Sequence, residues 1–148
     1  MDVQKIRIFN RYYARVLGVF DKKYLGVDFS VTEVRIIGEI GRNPQLTAKE
    51  LTEYLSIDKG YMSRILQNLE KKGLIARVKS EKDAREKSLC LTEDGQKLNF
   101  LLEKKADERI LRQIAGLEEA EYLALLEAMQ KIERILGEPK QGGVSCTN

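Results

Sequence analysis

Apolar side chains recur at helical spacing almost from the first residue. Ile6, Phe9, Tyr12, Tyr13, Val16, Leu17, Phe20 and Tyr24 share one face of a helix predicted over 3–25, and Arg7, Arg11 and Arg15 follow at i, i+4 and i+8 on the opposite face. Ser30 with Glu33 pairs a hydroxyl cap with a carboxylate three residues on, which opens a second helix carrying Val34, Ile36, Ile37 and Ile40. Gly41 and the Asn43-Pro44 break close it. Thr47 with Glu50 repeats the device for a short third helix bearing Leu51 and Leu55. Asp58 is then placed to cap a fourth over 59–72, ending at Gly73.

From Leu74 to Leu91 the period changes to two. Ile75–Lys79 and Lys87–Leu91 read as the strands of a charged hairpin around the tip Ser80 to Glu86, with Leu89 and Leu91 on one face. Thr92, followed by Glu93 and Asp94, caps a long helix with Leu98, Leu101, Leu102, Ala106, Ile110, Ile114 and Leu117. A last helix carries Tyr122, Leu125, Leu126, Met129, Ile132, Ile135 and Leu136 up to Gly137 and Pro139, and 138–148 reads as a tail or linker. The fold class is therefore mainly α with a small two-stranded β hairpin.

Composition removes whole chemistries. The chain has 148 residues, the size of one domain, with 43% hydrophobic and 33% charged residues. It contains no histidine, so a Ser-His-Asp triad, a histidine metal site and an imidazole proton shuttle are excluded. Cys90 and Cys146 stand 56 positions apart, with no paired spacing for zinc, redox work or a disulfide framework. The carboxylates read as solvated helix faces, so no enzyme, metal or cofactor is expected. No run of about 18 apolar residues and no signal-peptide core is present, which predicts a soluble, cytoplasmic protein without a membrane partner.

Charge is uneven: residues 42–88 carry 11 basic and 7 acidic side chains, and residues 89–148 carry 8 and 11. A basic middle beside an acidic C-terminal third points to a local polyanion contact. The fourth helix sharpens this. With Gly60 at 0° and about 100° per residue, Met62, Ile65, Leu66 and Leu69 cluster between about 140° and 240°. Ser63, Arg64, Gln67 and Lys71 fall at about 300°, 40°, 340° and 20°. That outer face has short side chains for close approach and, with Asn68, the Arg and amide types that read base edges in a major groove. Three helices followed by a two-stranded wing is the winged helix-turn-helix order, with 59–72 as recognition helix and double-stranded DNA as partner.

Two stretches carry a resemblance to a known family. Leu51 to Ile75, LTEYLSIDKGYMSRILQNLEKKGLI, and Asp83 to Gly95, DAREKSLCLTEDG, resemble the MarR family of bacterial regulators, the second through a D-x-R wing signature followed by L-x-L-T-x-x-G. The resemblance covers about 3–137 as a single domain. It implies an interleaved homodimer of winged helices, with about 30–91 as the DNA-binding lobe and about 3–25 and 92–137 as dimerisation helices. It also implies a ligand-responsive repressor of transcription on a palindromic operator. Carried over residue by residue, it makes Lys59, Gly60, Tyr61, Ser63 and Arg64 major-groove and backbone contacts, with Gln67 beside them. Arg85 becomes the wing-tip side chain of the minor groove, and Asp83 the brace for basic side chains there. Lys79, Lys82 and Lys87 are placed to neutralise flanking phosphates.

Members of that family take a small aromatic or phenolic ligand between their lobes. Phe9, Tyr12, Tyr13, Phe20 and Phe29 lie in the stretch beside that junction and are the candidate ligand-binding residues, with a Tyr hydroxyl as polar anchor. The competing reading is that these rings form the dimer core. The two ends of the chain are also similar to the regulator half of proteins in which a MarR-like domain precedes a GNAT acetyltransferase. However, the acetyl-CoA loop of that fold has no match, since Arg15 to Phe20 sits in a predicted helix and ends in Phe. The alternative functions are thus a protein-interaction module or a non-catalytic fragment of such a fusion.

Overall fold

Each of the first four helices starts on a side-chain oxygen. Asp2 accepts from the Gln4 N–H, Ser30 from Glu33, Thr47 from Glu50 and Asp58 from Tyr61, and at Ser30 and Thr47 the glutamate reaches back to the cap's own N–H. In this computed structural model, which describes residues 1–81 and 83–137, the order is α1 (Val3–Val16), a single 3-10 turn (Tyr24–Gly26), α2 (Val31–Arg42), α3 (Ala48–Leu55) and α4 (Lys59–Lys71). Then follow β1 (Ile75–Lys79), β2 (Lys87–Leu91), α5 (Glu93–Ile114) and α6 (Glu119–Leu136). Lys82, Cys146 and the expected tail over 138–148 lie outside the described residues. No described helix is long and apolar enough to cross a membrane.

The first helix is shorter than its hydrophobic stripe. It ends at Val16 rather than near 25, because Gly18 takes a left-handed φ of 71°. The Gly18 N–H then bonds the Arg15 carbonyl at 3.0 Å and the Val19 N–H bonds that of Ala14 at 3.2 Å, closing a Schellman cap. Phe20 and Tyr24 keep helical spacing past this stop, so periodicity alone carried the expectation too far. In the turn that follows, the Lys23 ammonium lies 2.7 Å from Asp28 and holds that carboxyl below its usual range.

The chain divides into two compact units, Met1–Glu108 and the part from Arg109 onward. The core of the first comprises Ile36, Ile37 and Ile40 of α2, Leu51 of α3, Met62, Ile65, Leu66 and Leu69 of α4, Ile75 and Leu89 of the hairpin, and Leu102 of α5. Truncating one such residue to Ala should cost about 2–5 kcal/mol. The second unit contains α6, whose apolar side chains at Leu123, Ile135 and Leu136 are exposed.

The hairpin is antiparallel, with Ile75 opposite Leu91, Arg77 opposite Leu89 and Lys79 opposite Lys87. A third segment joins it: the Leu89 N–H bonds the Leu46 carbonyl at 2.8 Å, and Thr47 forms an isolated bridge with Ser88. The wing is thereby fixed to the connection between α2 and α3. The short run Leu46-Thr47 carries no strand signal in the sequence, so this rung had to come from the fold.

Candidate nucleic-acid interface

Helix α4, the candidate recognition helix, begins where Asp58 accepts the Tyr61 N–H at 3.0 Å and ends where Gly73 takes φ +70°. There the Gly73 N–H bonds the Glu70 carbonyl and the Leu74 N–H that of Leu69, a second Schellman cap. Met62, Ile65, Leu66 and Leu69 are all buried, which fixes the rotation of the helix about its axis. Lys59, Gly60, Tyr61, Ser63, Arg64 and Gln67 are consequently brought together on the exposed side. The Arg64 guanidinium lies 5.9 Å from the centre of the Tyr61 ring, a cation–π contact that holds the charge near the helix start.

Asn68 differs from its neighbours. Its side-chain amide donates to Glu33 Oε1 at 3.3 Å, while Glu33 Oε2 accepts the Ser30 N–H at 2.8 Å. One carboxylate thus caps α2 and tethers α4, and the Asn68 amide, although exposed, is engaged by that tie. Sequence spacing could place Asn68 on the helix but not the residue 35 positions earlier that engages it.

In the wing, Lys79 and Lys87 face each other on the last rung and are exposed, and Arg85 is exposed at the tip. The Asp83 carboxylate accepts the Arg85 backbone N–H at 2.9 Å and its carbonyl accepts the Glu86 N–H at 3.1 Å. Asp83 therefore shapes the turn that presents Arg85. Lys82, expected beside it, lies outside the described residues. The Cys90 thiol, on β2, donates to the Ala76 carbonyl across the ladder at 3.6 Å. Among the described residues, no group of three or more Cys, Asp or Glu is arranged to hold a metal.

The five aromatic candidates for a ligand pocket are not gathered into one cavity. Phe9 and Tyr13 stack on α1 with ring centres 5.6 Å apart, while Phe9, Tyr12 and Phe20 are exposed, Phe20 at 78%. Phe29 instead packs against the core, with the Lys72 ammonium 4.7 Å from its ring centre. The break at Gly18 separates Phe20 from the helix stripe, and Phe29, ahead of α2, is partly buried against the core instead. A cavity of about 180 Å³ lies nearby, lined by Tyr24, Leu25, Val34, Arg35, Arg42 and Asn99 among others, and by none of the five. The sequence signal for Arg35 and Arg42 was their place on the polar side of α2, which by itself reads as solvated surface.

Comparison with known proteins sets this geometry in a family. The sequence profile of the MarR family matches residues 27–86, from just ahead of α2 to the tip of the wing before β2. The HTH-type transcriptional regulator FarR of Neisseria gonorrhoeae is 34% identical over 105 residues, covering 69% of this chain and 72% of that protein. The organic hydroperoxide resistance transcriptional regulator of Bacillus subtilis is 43% identical over 61 residues, covering 41% of this chain and only 39% of that protein. Among solved structures, Streptococcus pneumoniae FabT in complex with DNA superposes with a TM-score of 0.69 at 28% identity, covering 91% of this chain and 97% of that one.

Proposed function

The chain belongs to the MarR family, and we propose that it is a sequence-specific transcriptional regulator that binds double-stranded DNA as a homodimer. The observation that carries this reading is the exposed face of α4, where Lys59, Tyr61, Ser63, Arg64 and Gln67 lie together over a buried apolar stripe. The resemblance to FabT, solved on DNA, supports the same use of that face. Short side chains and a guanidinium on a helix of this width suit a major groove about 12 Å across. Arg85 at the exposed wing tip suits the minor groove, where narrow width concentrates negative potential. Lys79 and Lys87 at the wing rim suit flanking phosphates.

Two copies related by a two-fold axis place two recognition helices on half-sites about one helical turn apart, so the operator is a palindrome. The apolar side chains of α1 and α6, exposed in the single chain, supply the surface that a second copy buries. The protein acts in the cytoplasm, where its DNA is. We assign it no reaction: the relatives above are transcriptional regulators. It acts as a repressor released by a small aromatic acid. The cavity beside Tyr24 offers the Arg35 guanidinium as an anchor, and at about 180 Å³ it admits little more than a single ring. A ligand that releases DNA must be weakened by DNA by the same factor, so titrating aromatic acids into free and DNA-bound protein tests the switch.

A titration against duplex DNA at two salt concentrations tests the whole reading. Neutralising several phosphates makes log K fall steeply with log salt, by about 0.9 per phosphate contacted. A protein-interaction module, the other use of the same surface, would bind duplex weakly and with no preference for a palindrome.

A further inference from the structure

One ion pair joins the two DNA-facing parts of the winged lobe. Arg77 stands opposite Leu89 in the ladder, so its side chain leaves the sheet on the face that carries the buried Ile75 and Leu89. A guanidinium rooted on a packed face needs a partner, and Arg77 Nε donates to Glu70 Oε1 at 2.8 Å, with each side chain only 31% exposed. Glu70 lies in the last turn of α4 at about 280° on the projection used above, on the border between the buried stripe and the outer face. It is the sole carboxylate within α4. Left bare, it would repel a phosphate backbone passing that face.

At its base the wing is closed by Thr92, which bonds the Gly73 and Leu74 carbonyls, and further ties hold its other side. The Leu89 N–H holds β2 to Leu46, and Gln45 donates to Glu81 at 3.1 Å, so both fix the hairpin to the connection between α2 and α3. Ile75 and Leu89 share the apolar core with α4, and among the described residues Glu70 with Arg77 is the ion pair between the wing and the recognition helix. A partly exposed ion pair adds little to folding stability. What this one supplies is orientation: the strand leading to Arg85 is tied to the helix that carries Arg64.

We infer that Glu70 and Arg77 are positioning residues that set the angle of the wing to the recognition helix, so that the two grooves are read in one register. This rests on the DNA-binding function proposed above and adds two residues that touch no base. Overall affinity is the wrong measure, because removing a carboxylate near phosphates raises it on any duplex. Two ratios separate the effects. The flank ratio compares the same half-sites with A·T-rich and G·C-rich flanks and reports the wing. The half-site ratio compares intact and base-substituted half-sites and reports the helix.

Glu70→Ala should lower the flank ratio to near that of Arg85→Ala, on the order of fivefold if the wing contributes one good Arg contact, and should leave the half-site ratio unchanged. Adding Arg85→Ala to Glu70→Ala should lower the flank ratio no further. The reversed pair, Glu70→Arg with Arg77→Glu, should restore it, which a merely destabilised domain would not show. In the free protein, amide exchange over 75–91 should quicken in Glu70→Ala while α4 keeps its protection. An unchanged flank ratio, unchanged exchange in the wing, or a reversed pair that restores neither would overturn the inference. If the unaltered protein binds no duplex at either salt concentration, the proposed function falls instead, and the exchange measurement still decides whether the pair holds the wing.

Discussion

Thr92 donates its hydroxyl hydrogen to the Gly73 carbonyl at 2.6 Å, tying the start of α5 to the residue that terminates the recognition helix. The same oxygen accepts the Gly95 N–H at 3.0 Å, and the Thr92 N–H bonds the Leu74 carbonyl at 3.0 Å. One residue therefore caps α5 and closes the base of the wing. Gly95 is needed beside it, because a Cβ there would run into the Leu74 carbonyl oxygen. This is the physical content of the L-x-L-T-x-x-G string.

Thr92→Val should accordingly cost about 1–2 kcal/mol through the lost cap and the Gly73 tie. Gly95→Ala should cost about 1–3 kcal/mol, because backbone rather than a movable side chain blocks the added methyl. Both are read as a lower urea midpoint at unchanged slope. Gly116→Ala, where a Cβ would meet nothing within 4 Å, is the control and should leave the midpoint almost unmoved.

Arg64→Ala should weaken specific binding by roughly 1–3 kcal/mol, the worth of a good base-edge or phosphate contact from a recognition helix. Lys71→Ala, at the far end of the same helix, should matter less. Competition binding on one duplex measures both, and unchanged specific affinity in a folded Arg64→Ala protein would mean that another face of the lobe meets DNA.

For the wing, Arg85→Ala should reduce affinity most on sites with A·T-rich flanks, since groove width rather than base identity attracts the guanidinium. Equal losses on G·C-rich flanks would place Arg85 on phosphate instead. Asp83→Ala should reproduce part of the effect by loosening the turn that Asp83 closes around Arg85.

Deleting residues 1–20 should give a monomeric or aggregating protein. Ile6, Phe9 and Tyr12 of α1 are exposed in the single chain, and large apolar side chains left in water are worth about 1.5–3 kcal/mol each when buried. Sedimentation of the full chain at micromolar concentration should show a dimer, and a well-behaved full-length monomer would remove this role for α1.

Asp28 should titrate below the ordinary carboxylate range by NMR, because Lys23 hydrogen-bonds and attracts its charged form. Its folded pKa being the lower one, any stabilisation is present above the unfolded value near 3.9 and is lost as pH falls through the folded midpoint. Lys23→Gln should return the midpoint toward normal. The group is fully exposed, so global stability should barely register the change.

How far the sequence reaches can be judged from single residues. Local signals are complete within a few positions, so Ser30 with Glu33, Thr47 with Glu50 and Asp58 marked true helix starts, and Gly73 a true stop. The period of two around Leu89 and Leu91 marked the hairpin, and the wheel of α4 separated its buried stripe from its polar face. By itself, then, the sequence determined the order of the elements and which face of the recognition helix is free, because both follow from spacing along one short segment.

Contacts between segments were decided by the tertiary structure alone. Glu33 with Asn68, Glu70 with Arg77, and Leu46 with Leu89 join positions whose separation in sequence carries no periodic trace. The aromatic residues show the same limit, since Phe20 by its spacing and Phe29 by its place before α2 were grouped together, yet one faces solvent and the other the core. A side chain's local pattern states which way it points from its own helix. What it meets there depends on how the other elements are packed, and that is fixed by burial and shape summed over the whole lobe.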